Sequence, residues 1–340
     1  MDITMLGIDI AKNVFQLFAV DKNGKKVFAK KVARSSLIKT ISKLSNSCII
    51  AMEACGGANH WARVFKTMGY EVKLITPQFV KPFVKGNKND YQDAEAIVEA
   101  ASRPQMRFVT PKTVAQQDMQ SLLRVRAKQI EIRTGLANQL RGLLSEYGIV
   151  VKKGCAALRK TLPVLFDRAV DNELSWQIKE ILEQQYNLLL IIEEQISYYD
   201  IKLNEIAKNN EVCNRLQKIE GIGPITAIAI VASVGDGSAF ENGRHFSAFV
   251  GLVPRQHSSG GKEKLLGISK RGDNYLRCLL IHGARSVLIS AAKKEGARYR
   301  WANQVRERRG MNRAAVALAN KNARIAMAMI LSGEEYKKAA

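Results

Sequence analysis

Three apolar runs open the chain, at residues 3–10, 14–20 and 26–32, and they limit what the N-terminal region can become. Each is rich in Ile, Val, Leu and Phe, and turn signals separate them, the clearest being Asp21-Lys22-Asn23-Gly24. They read as a meander of three strands. A helical pattern over 35–45 follows, then a strand from Cys48 to Met52, a helix from Ala58 to Met68, and a strand from Glu71 to Ile75 that Thr76-Pro77 stops. Two short helical stretches lie near 78–84 and 90–101. A meander followed by strands alternating with helices predicts an α/β domain on a mixed sheet.

The pattern then changes. Thr113 to Tyr147 reads as one long helix carrying Arg124, Arg126, Lys128, Arg133 and Arg141. Over 171–211, apolar or tolerated residues recur in steps of three and four: Leu174, Ile178, Ile181, Gln185, Leu189, Ile192, Ile196, Tyr199, Leu203 and Ile206. That spacing suits a coiled coil or a long helical hairpin arm, with an ordinary amphipathic helix as the plainer reading. This stretch holds nine acids against three lysines, which favours protein contact over nucleic acid. From Arg255 to Arg324 the balance reverses, with 17 Lys and Arg against four acids, a local net charge of +13, much of it on expected helices at 273–292 and 312–331. The whole chain carries +22, so a polyanionic partner is expected. No basic segment precedes an apolar run at the start, and the most apolar stretches, such as Ile225 to Ala232, fall short of the ~20 residues of a membrane span. Five scattered cysteines without a C-x-x-C pair read as buried small hydrophobes in a reduced, cytoplasmic (nucleoid-associated) protein.

Three constellations bear chemistry. Asp9 ends the first strand and Glu53 follows Ile49-Ile50-Ala51-Met52, so both acids sit at strand ends. Asp90 and Asp93 lie three apart, on one face of a helix. Carboxylates converging ~4 Å apart repel by roughly 4 kcal/mol at an effective dielectric near 20, a cost that Mg2+ or Mn2+ removes. An opening Gly-Ile-Asp strand also occurs in actin-like ATPases, but no second phosphate loop accompanies it here. The second constellation, Glu220-Gly221-Ile222-Gly223-Pro224, resembles the turn of a helix-hairpin-helix, whose glycines let a phosphate approach; an ordinary helix–helix turn is the alternative. In the third, His257-Ser258-Ser259-Gly260-Gly261 is surrounded by Arg255, Lys262, Lys264, Lys270 and Arg271. It is either an exposed nucleophile among cations or merely a loop.

Taken in order, these segments resemble the DEDD transposases of insertion-sequence family one-ten, in particular its eleven-eleven branch, which are relatives of the Piv DNA invertase. The resemblance runs from Met5 to Leu331 and rests on Gly7-Ile8-Asp9-Ile10-Ala11-Lys12, Met52-Glu53-Ala54-Cys55-Gly56-Gly57, Lys88-Asn89-Asp90-Tyr91-Gln92-Asp93-Ala94, Ile219-Glu220-Gly221-Ile222-Gly223-Pro224 and the Gly-Leu-Val-Pro to Ile-Ser-Lys-Arg-Gly series. It implies a RuvC-like, ribonuclease-H-like domain over 1–150 with Asp9, Glu53, Asp90 and Asp93 as a metal-binding tetrad. A coiled-coil segment over 151–211 and a mainly α transposase domain over 212–335 would follow. The resemblance also implies a serine nucleophile at Ser259, with Ser258 as fallback; the residues themselves suggest nucleic-acid contacts from Gly221, Gly223, Arg255, Lys262, Lys264, Lys270 and Arg271. Its implied partners are donor and target DNA, a bridge-type guide RNA, and further copies of the chain, one protomer's tetrad meeting another's serine. Asn89 stands where the family frequently has threonine. A Holliday-junction nuclease using water, or an RNA-binding scaffold, are the competing readings; the first leaves Ser259 without a role.

Overall fold

The computed structural model describes residues 2–86, 89–167 and 174–337; Lys88 and the 168–173 part of the segment expected to coil lie outside them. The chain divides into two compact units, Met1–Ala115 and Gln116–Ala340.

The first unit is a six-stranded sheet with helices on both faces. Its strands are β1 (Met5–Asp9), β2 (Val14–Val20), β3 (Lys26–Ala33), β4 (Ile49–Glu53), β5 (Val72–Ile75) and β6 (Phe108–Val109), in the order β3-β2-β1-β4-β5-β6. The expected meander is the antiparallel run β1-β2-β3, and β4 and β5 add to β1 in parallel. β6, only two residues long, carried no sequence signal. The helices are α1 (Leu37–Ile41), α2 (Ala58–Thr67), α3 (Pro77–Val80) and α4 (Asp90–Ala101). Strand alternation divides the core. Leu6, Ile8, Phe15, Leu17, Ile50 and Met52 face α2 and pack with its Trp61 and Phe65. On the other face Ala51 packs with Ala96, Ile97 and Ala100 of α4, and Phe18 and Val20 pack with Ala94 and Val98.

α4 sits unusually close to β1. A Cβ on Gly7 would lie 2.5 Å from the Ala94 carbonyl oxygen and 2.6 Å from Val98 Cγ2, so only glycine fits beneath the helix.

The second unit is mostly helical. It comprises α5 (Val114–Glu146), which begins at the boundary, then α6 (Cys155–Phe166), α7 (Trp176–Asn209), α8 (Glu211–Leu216), α9 (Pro224–Val234) and α10 (Gly243–Phe249). A hairpin of β7 (Pro254–Gln256) and β8 (Leu265–Ile268) follows, then α11 (Asn274–Ala291), α12 (Ala297–Arg309) and α13 (Met311–Ser332). α5 and α7 run as an antiparallel arm: Leu136, Leu140 and Leu144 pack with Leu158 and Leu162 of α6 and with Ile178, Leu182 and Leu189 of α7, while Arg126 reaches Asp200 further down. The seam read from the sequence is therefore used within the chain. Two of its positions shift: Leu182 is buried and Ile181 exposed, and Ala207 is buried deeper than Ile206. α9, α11 and α13 are central to the remaining core, which also takes Leu203 and Ala207 of α7, Cys213 and Leu216 of α8 and Phe246 of α10. Contrary to the sequence expectation, α13 has the length and apolar composition of a membrane span; half of it is buried in this core, and it carries Arg313, Lys321 and Arg324. Only Cys48 and Cys213 are buried, and burial pushes their thiols up to about 11 and about 12; Cys278 is exposed, against the expectation of five buried cysteines.

Replacing Gly7 by alanine should force α4 off β1. We expect a loss of about 1–3 kcal/mol, read from urea unfolding of the full chain; an unchanged midpoint would show that the helix shifts without cost.

Candidate functional site

The strand parity that divides the core also aims the acids. On β1, Met5, Gly7 and Asp9 share a face, and on β4, Ile49, Ala51 and Glu53 do; the register Gly7↔Ala51 makes these one face, the one covered by α4. Asp9 and Glu53 thus end adjacent parallel strands on the side where α4 begins. Asp90 and Asp93 occupy the first turn of that helix. Gly7, two residues before Asp9, packs against Ala94, the residue that follows Asp93. A thiol reports the same neighbourhood: Cys55 is raised above its ordinary value first by burial, then by the charges of Glu53 and Asp9. Asn89 caps α4, its side-chain oxygen accepting from the Gln92 N–H at 2.9 Å. Threonine makes the same kind of cap, so the departure at this position leaves the helix start intact.

A polar row extends from Asp9 across the sheet. Asp9 pairs with Gln16 and Gln16 with Lys31 in register, so all three lie on the α4 face. Gln16 is a buried amide, and Lys31 forms an ion pair with Asp90 at 3.0 Å. Among the described residues no three His, Cys, Asp or Glu side chains are gathered as a finished metal cluster. The donor set itself, four carboxylates on three neighbouring elements, has the hard oxygen chemistry that suits a divalent cation. Asp9, Glu53 and Asp93 are half-buried, whereas Asp90 is exposed and held by Lys31.

Ser258 and Ser259 occupy the tip of the β7–β8 hairpin. Ser259 pairs with Lys262 across Gly260 and Gly261, whose φ values are +57° and +75°. Both positive φ values match the two-residue turn that closes hairpins, and they explain the Gly-Gly pair. The Lys262 N–H donates to the Ser259 carbonyl at 3.1 Å. The two hydroxyls differ. Ser258 Oγ accepts from Gln256 Nε2 at 2.9 Å, whereas the exposed Ser259 hydroxyl makes no hydrogen bond among the described residues. Arg255, Lys262, Lys264, Lys270 and Arg271 are all exposed on the hairpin and its exit. Lys270 is left-handed at φ +55°, an uncommon backbone for a residue with a side chain.

The hairpin is anchored from below by a residue the sequence reading passed over. Arg277 on α11 is buried; its guanidinium donates to the Val250 carbonyl at 2.9 Å, the Arg271 carbonyl at 3.0 Å and Asn274 Oδ1 at 2.6 Å. It thus ties the chain entering the hairpin to the chain leaving it. Only its place in the run Asp273-Asn274-Tyr275-Leu276-Arg277 was visible in sequence, where it looked like one more surface cation.

Gly221 and Gly223 lie apart from this hairpin, in the turn between α8 and α9. Gly221 faces Gly283 of α11 so closely that a Cβ on either would meet the other's backbone. Arg298 and the buried Asn322 both donate to the Glu220 carbonyl at 3.0 Å. Gly223 is exposed and caps α9 ahead of Pro224. Gly221 therefore has a packing role, and Gly223 is the one of the pair open to a ligand.

Two segments match known families. Residues 6–149 match a DEDD transposase domain of the IS110 type, and residues 213–302 match the domain described as Transposase IS116/IS110/IS902 family. Over 337 residues the chain is 51% identical to the transposase for insertion sequence element IS1111A of Coxiella burnetii, spanning 99% of this chain and 92% of that protein. It is 45% identical over 331 residues to a probable family 20 transposase of Pseudomonas aeruginosa, 97% of each chain. It is also 23% identical over 307 residues to the pilin gene-inverting protein of Moraxella lacunata, 85% of this chain and 84% of that one.

Removing the anchor should loosen the hairpin. Arg277→Met leaves buried carbonyls without donors, so we expect a stability loss of at least about 2 kcal/mol. Trypsin should also cut faster at Lys262 and Lys264 under native conditions. Unchanged stability and cleavage would mean that the hairpin holds itself.

Proposed function

The chain belongs to the IS116/IS110/IS902 family of transposases, and from that premise we propose that it cuts and rejoins DNA strands through a covalent serine–DNA intermediate. In this proposal Asp9, Glu53, Asp90 and Asp93 hold a divalent cation, Mg2+ or Mn2+, and Ser259 is the nucleophile. The observation that supports it is that Asp9 and Glu53 end adjacent parallel strands on the face that α4 covers, while Asp90 and Asp93 stand in the first turn of α4. That arrangement supports a RuvC-like reading of the first domain. For the domains 1–150, 151–211 and 212–335, family matches over 6–149 and 213–302 support the breaks near 150 and 212, while the compact units themselves divide after Ala115.

The reaction conserves phosphodiester bonds. Ser259 Oγ attacks phosphorus, a serine–phosphate ester forms, the bond from phosphorus to one deoxyribose oxygen breaks, and that oxygen takes up a proton while the serine proton passes to solvent. A free strand then attacks the ester and releases the serine. A cation held by Asp9, Glu53, Asp90 and Asp93 would supply Lewis-acid stabilisation of charge on a bound phosphate. The protein's own part is positional and electrostatic. Ser259 is chosen over Ser258 because its hydroxyl is not engaged by Gln256. Lys262, Lys270 and Arg271 stand close in the chain to neutralise the developing charge.

The excess of positive charge also supports a guide RNA, paired with donor and target DNA, as a second polyanion. Self-association has a candidate surface of its own. Because the expected α7 seam packs within the chain, the contact would fall on a second stripe, Ile181, Leu188, Ile191, Tyr198 and Ile201, all exposed.

Two experiments test these readings. Donor DNA, target DNA and the element's RNA are incubated with Mg2+, and protein–DNA adducts are trapped on a denaturing gel. Wild type and Ser258→Ala should form the adduct; Ser259→Ala and Asp93→Ala should not, while binding nucleic acid normally. Adduct from Ser259→Ala but not Ser258→Ala would move the nucleophile by one residue, and recombination by Ser259→Ala and Ser258→Ala alike would end the covalent reading. In sedimentation, Leu188→Asp with Ile191→Asp should reduce the oligomer to the monomer mass; retention of the wild-type mass would exclude this stripe as the contact.

A further inference from the structure

Beside the serine hairpin lies an open groove of about 1050 Å3 that the mechanism above does not use. Leu252, Pro254 and Ile268 at the foot of the hairpin form one wall, and the Asn320 side chain fastens that wall by donating to the Leu252 carbonyl at 3.2 Å. α13 forms the other. Its lining residues Arg313, Ala317, Asn320, Arg324 and Ala328 follow in steps of four, three, four and four, so they share one helix face. Eleven residues separate Arg313 from Arg324, about 16 Å along the axis. Arg244 and Lys321 complete a rim of four cations, and no Asp or Glu lines the groove. The floor, by contrast, is apolar, with alanines, Val316 and Ile325, and Trp301 stands in it with the Lys321 ammonium 4.6 Å from its ring centroid.

This combination selects its ligand. A duplex offers a protein surface mainly phosphates, with its base faces stacked away, and gains nothing from an apolar floor. An unpaired strand offers both: phosphates for the rim, and base faces for the floor and the indole. We propose that this groove binds an unpaired DNA strand, phosphates on Arg244, Arg313, Lys321 and Arg324 and bases over Trp301 and the α13 alanines. The assignment to DNA rests on the transposase reading, because the groove shares its wall with the hairpin whose serine would attack DNA, and strand exchange must pass through unpaired ends.

The test is fluorescence anisotropy with a labelled twelve-residue oligothymidylate, a twelve-base-pair DNA duplex and a twelve-residue oligouridylate. Arg313→Glu with Arg324→Glu changes two exposed side chains, and circular dichroism verifies that the helices persist. We expect this double variant to lose at least tenfold in affinity for oligothymidylate and less than threefold for the duplex. Trp301→Ala should lose roughly five- to a hundredfold for the single strand. Equal losses on single strand and duplex, or an unchanged single-strand affinity in the folded double variant, overturn the groove. Tighter binding of oligouridylate than of oligothymidylate, lost in the same variant, overturns the assignment to DNA. A wild-type protein that binds neither DNA form would instead defeat the transposase reading from which the assignment starts.

Discussion

The contact between α4 and β1 is the constraint on which the first unit depends. Gly7 and Ala51 are small at adjacent positions of neighbouring strands, and the helix settles close enough that the Ala94 carbonyl oxygen lies 2.5 Å from where a Cβ of Gly7 would be. Dense packing of this kind transmits position: two residues further along each strand stand Asp9 and Glu53, and one residue back along the helix stands Asp93. The carboxylates are thus located by apolar packing, which costs nothing in charge repulsion until the side chains turn toward one another. Lys31 offsets part of that repulsion by pairing with Asp90.

The second unit solves a different problem. A serine at the tip of a two-stranded hairpin is accessible, but strands of three and four residues with mostly exposed side chains contribute little stability of their own. Arg277 compensates from inside the core, binding the carbonyls of Val250 and Arg271 with one guanidinium. A rigid planar fork serves here better than a lysine would, since several carbonyl oxygens in fixed places must be reached at once.

Where strands were buried, the sequence was readable. β1, β2 and β4 are buried over successive residues and so read as continuous apolar runs bounded by turn signals, whereas their order and register came from the structure alone. The acids at strand ends were conspicuous because an acid closing an apolar run is costly unless paired. The β7–β8 hairpin left no such trace, for all of Pro254 to Gly267 is exposed and nothing alternates. α12 was equally silent: of its thirteen residues only Ala302 is buried, so no periodicity marks it. In α7 the misassignment of Ile181 for Leu182 came from two apolar stripes competing on one helix. The role of Arg277 required the fold, because a cation destined for burial carries the same letter as one on the surface.

That two-sided character of α7 limits how the helix can drift in sequence. Ile178, Leu182, Leu189, Ile192, Ile196 and Leu203 are buried inward, and Ile181, Leu188, Ile191, Tyr198 and Ile201 project outward, leaving only narrow flanks for the acids that colour this stretch. Substitutions can accumulate on those flanks. Insertions cannot: one added residue rotates everything beyond it by about 100° and carries both stripes out of phase together, whereas a gain or loss of seven residues nearly restores them. Length changes in this arm are therefore restricted to whole heptads, and the reach of the arm would evolve in discrete increments of about 10 Å.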